Sequence, residues 1–124
     1  MRYFIDTNCC IYLFAGTHPV LTRRIEDTAA GQIGLSTIVL AEFALGLQRD
    51  AGLPDQRLRL LVEQMPVQPF DHAAAEAYAR LPFRRGRFDR LLAAHAISRS
   101  MTLITNNPLD FSDIPELSVE NWTL

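Results

Sequence analysis

Tyr3-Phe4-Ile5-Asp6-Thr7-Asn8 is the stretch on which the reading of this chain turns. Three apolar residues running straight into a polar cluster describe a strand buried on both faces, delivering its last residue to the carboxyl edge of a parallel sheet. Ligand sites of open α/β sheets lie along that edge. A carboxylate placed there, backed by an apolar strand, has lost part of its hydration and calls for a cation or a proton. Asp6 therefore reads either as the first ligand of a metal site or as the cap of the next helix, a role Asp often fills.

The length, 124 residues, suits one domain spanning residues 1–124. With 48% apolar and 21% charged residues the composition is that of an ordinary globular protein. No apolar run reaches the roughly 18 residues of a membrane span, and the start shows neither the basic region nor the cleavage site of a signal peptide. The expectation is a cytoplasmic protein with no membrane association. Cys9 and Cys10 are adjacent, so they cannot join distant segments, and they are too few for a zinc site. They read as reduced residues that pack a helix.

A net charge of −2 argues against bulk electrostatic capture of nucleic acid. Distribution matters more, because all 12 basic residues are Arg and Arg80, Arg84, Arg85, Arg87 and Arg90 lie close together. The absence of Lys removes a nucleotide-binding P-loop, and a phosphate-accepting receiver domain with it.

Along the chain, apolar periodicities alternate between helix and strand. Ile11, Tyr12, Phe14 and Ala15 suit a helix stopped by Gly16, and a second amphipathic segment runs from Val20 to Gly31. Ile33 to Leu35 reads as a strand, after which Ser36 or Thr37 caps a helix carrying Ile38 to Leu45. Gly46 falls in that helix's later part, and Gly52 with Pro54 marks a loop. A helix over 55–64 precedes a strand from Val67 to Phe70. Asp71 caps an Ala-rich helix through Leu81, ended by Pro82. A basic loop from Phe83 to Arg87 leads into a helix from Phe88 to Arg99, then a strand centred on Thr102 to Ile104 and an edge strand from Leu117 to Val119. Such alternation predicts a parallel sheet covered on both faces.

Four polar positions stand in comparable places: Asp6 and Asn107 each follow a strand, while Glu42 and Asp89 lie near the starts of helices. Helix N-termini tolerate carboxylates well. Three carboxylates held together would repel one another unless a divalent cation sat among them, and oxygen-only ligation selects magnesium or manganese over zinc.

Asp6-Thr7-Asn8, Glu42 within Ser36-Thr37-x-x-x-x-Glu42, Asp89-x-Leu91-x-Ala93-Ala94-His95-Ala96, and Leu103-x-Thr105-Asn106-Asn107 before Asp110-Phe111 together resemble the PIN-domain ribonucleases. Within that family the chain looks most like the VapC toxins of type II toxin–antitoxin pairs, and its Val119-Glu120-Asn121-Trp122 ending is similar to theirs. The resemblance covers nearly the whole chain, with four motifs in order and at the right spacing. It implies an α/β fold of three layers, α/β/α, around a short parallel twisted sheet of four to five strands, with an acidic cleft that binds magnesium (or manganese) and cuts RNA. Asp6, Glu42 and Asp89 match the family's three acids as catalytic residues and metal ligands. The fourth family position, often Asp, is here Asn107, which lowers the charge of the site. Asp110, three residues on, reads as a contributor through water or as a solvated turn residue.

The resemblance also implies roles. Asp6 and Asp89 would hold the ion, and Glu42 would orient or deprotonate the attacking water or complete the ligand shell. Thr7 and Asn8 would hydrogen-bond a carboxylate or phosphate. By its position just ahead of Asp89, the Arg80 to Arg90 group, Arg84, Arg85 and Arg87 foremost, would grip RNA phosphates beside the cleft or else form a solvated helix end; the resemblance adds pairing with an antitoxin's tail or with the acids. The partners implied are RNA, a VapB-like antitoxin and a second copy of the chain as homodimer. His95, about 120° around its helix from Asp89, faces away from the site as a packed or surface residue. His18 and His72 read as turn residues. A catalytically silent PIN-like binding module is the competing reading, against which the intact acids argue. A phosphatase with an aspartyl nucleophile would need a second Asp where Asn8 stands.

Overall fold

Phe4, Ile5, Leu35, Leu103 and Ile104 are each 0% exposed, as strands covered on both faces require. They belong to β1 (Tyr3–Ile5), β2 (Ile33–Ser36) and β4 (Thr102–Ile104), flanked at the edges by β3 (Val67–Gln68) and β5 (Ser118–Glu120). In this computed structural model, which describes residues 1–51, 56–82 and 88–124, the five strands form one sheet in the order β3-β2-β1-β4-β5. Every pairing is parallel. Among the described residues six helices connect them: α1 (Thr7–Ala15), α2 (Pro19–Glu26), α3 (Thr37–Ala51), α4 (Gln56–Gln64), α5 (His72–Ala79) and α6 (Phe88–Ser98). None of the described helices is long and apolar enough to cross a membrane. The α/β expectation holds, with five strands.

The chain lays down β1, β2 and β3 in one direction, then returns to place β4 on the other side of β1. Strand order therefore reverses between β1 and β4, and the two loops leaving their carboxyl ends part to leave a crevice. Ile5 is in register with Ile104, and the Asp6 amide donates to the Ile104 carbonyl at 3.0 Å. The first residue beyond β1 is thus tied to the end of β4.

Helix ends follow local chemistry. Asp6 Oδ1 accepts the Cys9 amide at 2.8 Å, opening α1, and Gly16 closes that helix at φ 68°. Ser36 Oγ accepts the Ile38 amide at 3.1 Å. Asp71 Oδ1 accepts the Ala74 amide at 3.0 Å, a bond that holds its carboxyl below the usual carboxylate range. Cys9 and Cys10 are free and buried inside the first helix.

Several expected boundaries move. The strand expected from Val67 to Phe70 stops at Gln68, because Pro69 has no amide to donate to the ladder and the Phe70 amide turns to Thr37 Oγ1 at 3.0 Å. The helix expected to run to Gly31 ends at Glu26, with Thr28 Oγ1 bonded back to the Arg24 carbonyl at 2.7 Å. The Ala-rich helix ends at Ala79 rather than Leu81, its last amides tightening onto carbonyls three residues back. The edge strand shifts one residue on, to Ser118–Glu120. Gly52 and Pro54 lie outside the described residues.

Candidate active site

The crevice between β1 and β4 opens into a cleft of about 210 Å³. Asp6, Thr7 and Asn8 line it from the start of α1, Glu42 from the second turn of α3, and Asp89 from the first turn of α6. Asn106, Asn107 and Asp110 line it from the loop after β4, the last of these in a 3-10 turn over Pro108–Phe111. Leu92 and Phe111 form its apolar floor. Every described residue singled out from the motifs as a ligand, fourth position or supporting group therefore borders one cavity.

The capping reading of Asp6 holds, and the same residue borders the cleft. Its Oδ1 caps α1, which fixes the plane of the carboxylate, while the residue still lines the cleft. Glu42 is held from across the site: the Thr7 hydroxyl donates to Glu42 Oε1 at 2.9 Å. The Asn107 amide donates to Thr105 Oγ1 at 3.2 Å, closing the turn that presents its side chain. Asp110 is exposed, and its carbonyl accepts from Arg90 Nη2 at 3.2 Å.

Burial, aided by the Asp6 carboxylate, pushes both Cys9 and Cys10 well above the ordinary thiol range. They stay protonated, and as neutral thiols they serve neither as ligands nor as nucleophiles.

Arg90 departs from expectation. It is 2% exposed and turned inward, with Nη2 2.8 Å from Asp113 Oδ1. A guanidinium so enclosed does not reach RNA phosphates; it braces the 3-10 turn against α6. Arg84, Arg85 and Arg87 lie outside the described residues. Asn106 is the residue sequence reasoning passed over: it lines the cleft, its Nδ2 donates to the Tyr12 hydroxyl at 3.1 Å, and its Oδ1 is buried. Tyr12 stacks on His18 at 3.8 Å. A partner 94 residues away leaves no local signal.

Among the described lining residues the donor set is oxygen, with no His or Cys side chain in it, which suits a hard divalent ion. Among the described residues no three His, Cys, Asp or Glu side chains stand close enough to enclose a metal by themselves. That spacing still fits magnesium, which commonly keeps several waters and takes only one or two carboxylates directly. At about 210 Å³ the cleft has room for such a hydrated ion, since a water fills roughly 30 Å³.

The PIN domain family model matches residues 3–117. Curated relatives include a tRNA(fMet)-specific endonuclease VapC from Shigella flexneri, 28% identical over 99% of both chains. Ribonuclease VapC2 from Rickettsia felis is 30% identical over 98% of both. Among solved structures, VapBC2 from Rickettsia felis bound to a promoter DNA fragment aligns with TM-score 0.84 at 27% identity, covering 98% of this chain and 99% of that one. VapBC-1 from nontypeable Haemophilus influenzae aligns with TM-score 0.80 at 26% identity over the whole of both chains.

Proposed function

The chain belongs to the PIN-domain family, and within it to the VapC ribonucleases; on that premise we propose that it is a magnesium- or manganese-dependent endoribonuclease, the toxin of a toxin–antitoxin pair. The observation that carries the proposal is the meeting of Asp6, Glu42, Asp89 and Asp110 around one cleft at the point where strand order reverses. Acidic residues gathered at such a switch point supply the oxygen donors that a divalent ion needs.

When bound, the ion supplies Lewis-acid activation of water and neutralises charge on the phosphodiester. Asp6 and Asp89 would hold it. Asp6 is already oriented, since its cap to Cys9 removes most of its rotational freedom before any ion arrives. Glu42 takes the proton of the attacking water or completes the donor set. Thr7 occupies Oε1 of Glu42, so Oε2 is the atom turned to that task. Asn8, Asn107 and Asp110 add polar contacts from the two walls, directly or through water. Attack by water forms the new O–P bond as the bond to the 3′ oxygen breaks, so products carry a 5′-phosphate and a 3′-hydroxyl. Arg84, Arg85 and Arg87 are assigned to the RNA backbone.

A VapB-like antitoxin is the proposed partner, and the solved relatives in complex with VapB support it. A groove of about 320 Å³, lined by Ile11, Phe14, Phe43 and Leu47, adjoins the cleft at Glu42 and suits an apolar segment of that partner. We also assign the protein to the cytoplasm, as a homodimer, with exposed Leu45 and Leu60 as apolar surface for such a contact. Cleavage of RNA in magnesium, abolished by chelator and restored by manganese, with 5′-phosphate ends on the products, is the expected result. Robust cleavage in chelator, or 2′,3′-cyclic phosphate products, would overturn it.

A further inference from the structure

Two motif residues, Ser36 and His95, do not reach the cleft, yet both are 0% exposed. His95 Nδ1 lies 2.8 Å from Ser36 Oγ. The same oxygen accepts the Ile38 amide that opens α3. A hydroxyl that accepts from that amide keeps its proton and a second lone pair, so its bond to Nδ1 forms with either neutral tautomer of the ring. Nε2 is buried and makes no hydrogen bond among the described residues. The ring packs against Phe4, with centroids 4.6 Å apart, and edge-on to Phe70 at 5.6 Å.

These contacts reach the three elements that carry the cleft acids. Phe4 is in β1, two residues before Asp6. Ser36 opens α3, which holds Glu42. His95 is itself on α6, six residues and about 9 Å along the axis from Asp89. We propose that His95 is the positioning residue of the acidic cleft: by bonding Ser36 and packing on Phe4 it holds α3 and β1 against α6, and so sets the distances of Glu42 and Asp6 from Asp89. The inference rests on the metal-dependent nuclease reading above.

An apolar side chain would fill the space without burying polar atoms, whose desolvation is costly. What it lacks is a bond of fixed length and direction between the two helices, and that is what the imidazole adds. Burial, and behind it the Arg99 charge, lowers the imidazole pKa to about 4, against the opposing pull of Asp71. The neutral ring is therefore the form bonded to Ser36 at physiological pH.

The test compares the full-length protein with His95→Leu, His95→Asn, Ser36→Ala and the double variant Ser36→Ala/His95→Leu. Manganese affinity is measured by calorimetry, kcat and KM on a cleaved RNA, and folding by melts in chelator. His95→Leu should lower kcat about 10²-fold and weaken manganese binding about tenfold, with KM little changed. His95→Asn, whose carboxamide takes the place of Nδ1, should recover most of both. Ser36→Ala should reproduce the loss, and the double variant should add nothing to it. A folded His95→Leu with unchanged kcat and manganese affinity overturns the proposal, as do additive losses in the double variant. Should His95→Leu not fold, Ser36→Gly decides, since it removes the hydroxyl bonded to His95 while glycine keeps most of the worth of the α3 cap. Wild-type protein that binds no manganese and cleaves no RNA overturns the nuclease reading and this inference with it; an active wild type with indifferent variants overturns the inference only.

Discussion

The Thr7 hydroxyl donates to Glu42 Oε1 at 2.9 Å across 35 residues of sequence, so the first turn of α1 orients the carboxylate presented by α3. Of the carboxylate and the phosphate expected as partners of Thr7, the carboxylate is the one it meets. The Asp6 cap and the Thr7 bond issue from successive residues, which makes the end of β1 the point from which two of the three acids are oriented.

Thr7→Val keeps the side chain's shape and removes the donor. Stability should fall by only about 1 kcal/mol, the net worth of one partly solvated hydrogen bond, while kcat falls more than tenfold because Glu42 loses its fixed rotamer. Thr7→Ser should restore most of the rate. Steady-state kinetics beside thermal melts would check this; equal losses in kcat and stability in both variants would make Thr7 a stability residue only.

Asp6 separates capping from ligation. Asn caps helices about as well as Asp, whereas Ala costs about 1 kcal/mol. Asp6→Asn should hold the melting temperature in chelator and Asp6→Ala should lower it by several degrees. Neither should cleave RNA, and the stabilisation produced by added magnesium should shrink in both, since a ligand stabilises only through its preference for the folded state.

His95 predicts a slope in stability on the acid side. Its imidazole is held neutral to about pH 4 in the folded chain, whereas unfolding returns it to about 6.5. Between these values the unfolded state binds more protons, so stability rises with pH. The contribution is fully present above about pH 6.5 and lost as pH falls through about 4; it amounts to about 3 kcal/mol in all. Denaturant unfolding from pH 7 to pH 4 should show the slope in the wild type and lose it in His95→Leu.

Arg90 is set apart by its burial. Arg90→Met removes one partner of an enclosed pair with Asp113 and should cost about 3 kcal/mol, leaving the salt dependence of RNA binding unchanged. Replacing Arg84, Arg85 and Arg87 together by Ala should instead leave the melting temperature in place and reduce the salt slope by about one for each phosphate no longer neutralised. An RNA titration at several salt concentrations distinguishes the two.

Much of the fold was legible because its signals are local. The apolar run Tyr3–Ile5, the caps at Asp6, Ser36 and Asp71, and the stop at Gly16 each depend on residues within four positions of one another. Local hydrogen bonds and side-chain periodicity are written in consecutive residues, so order and type of element followed from them. Where a boundary moved, as at Pro69 or beyond Glu26, the backbone donor found a partner elsewhere.

The candidate acids were legible too, since each sits at a strand end or helix start whose position the alternation predicts. What consecutive residues could not encode was which of them meet. Strand order β3-β2-β1-β4-β5 brings Asp6 beside the loop bearing Asn107. Thr7 with Glu42, Ser36 with His95, Asn106 with Tyr12 and Arg90 with Asp113 are partners 23 to 94 residues apart. Arg90 shows the difference most clearly: as sequence it is one member of a basic run, and only the packing of α6 against the 3-10 turn gives it the half-buried Asp113 carboxylate as partner in place of solvent. Secondary structure is decided by neighbours in the chain, but the environment of a charged side chain is decided by neighbours in space.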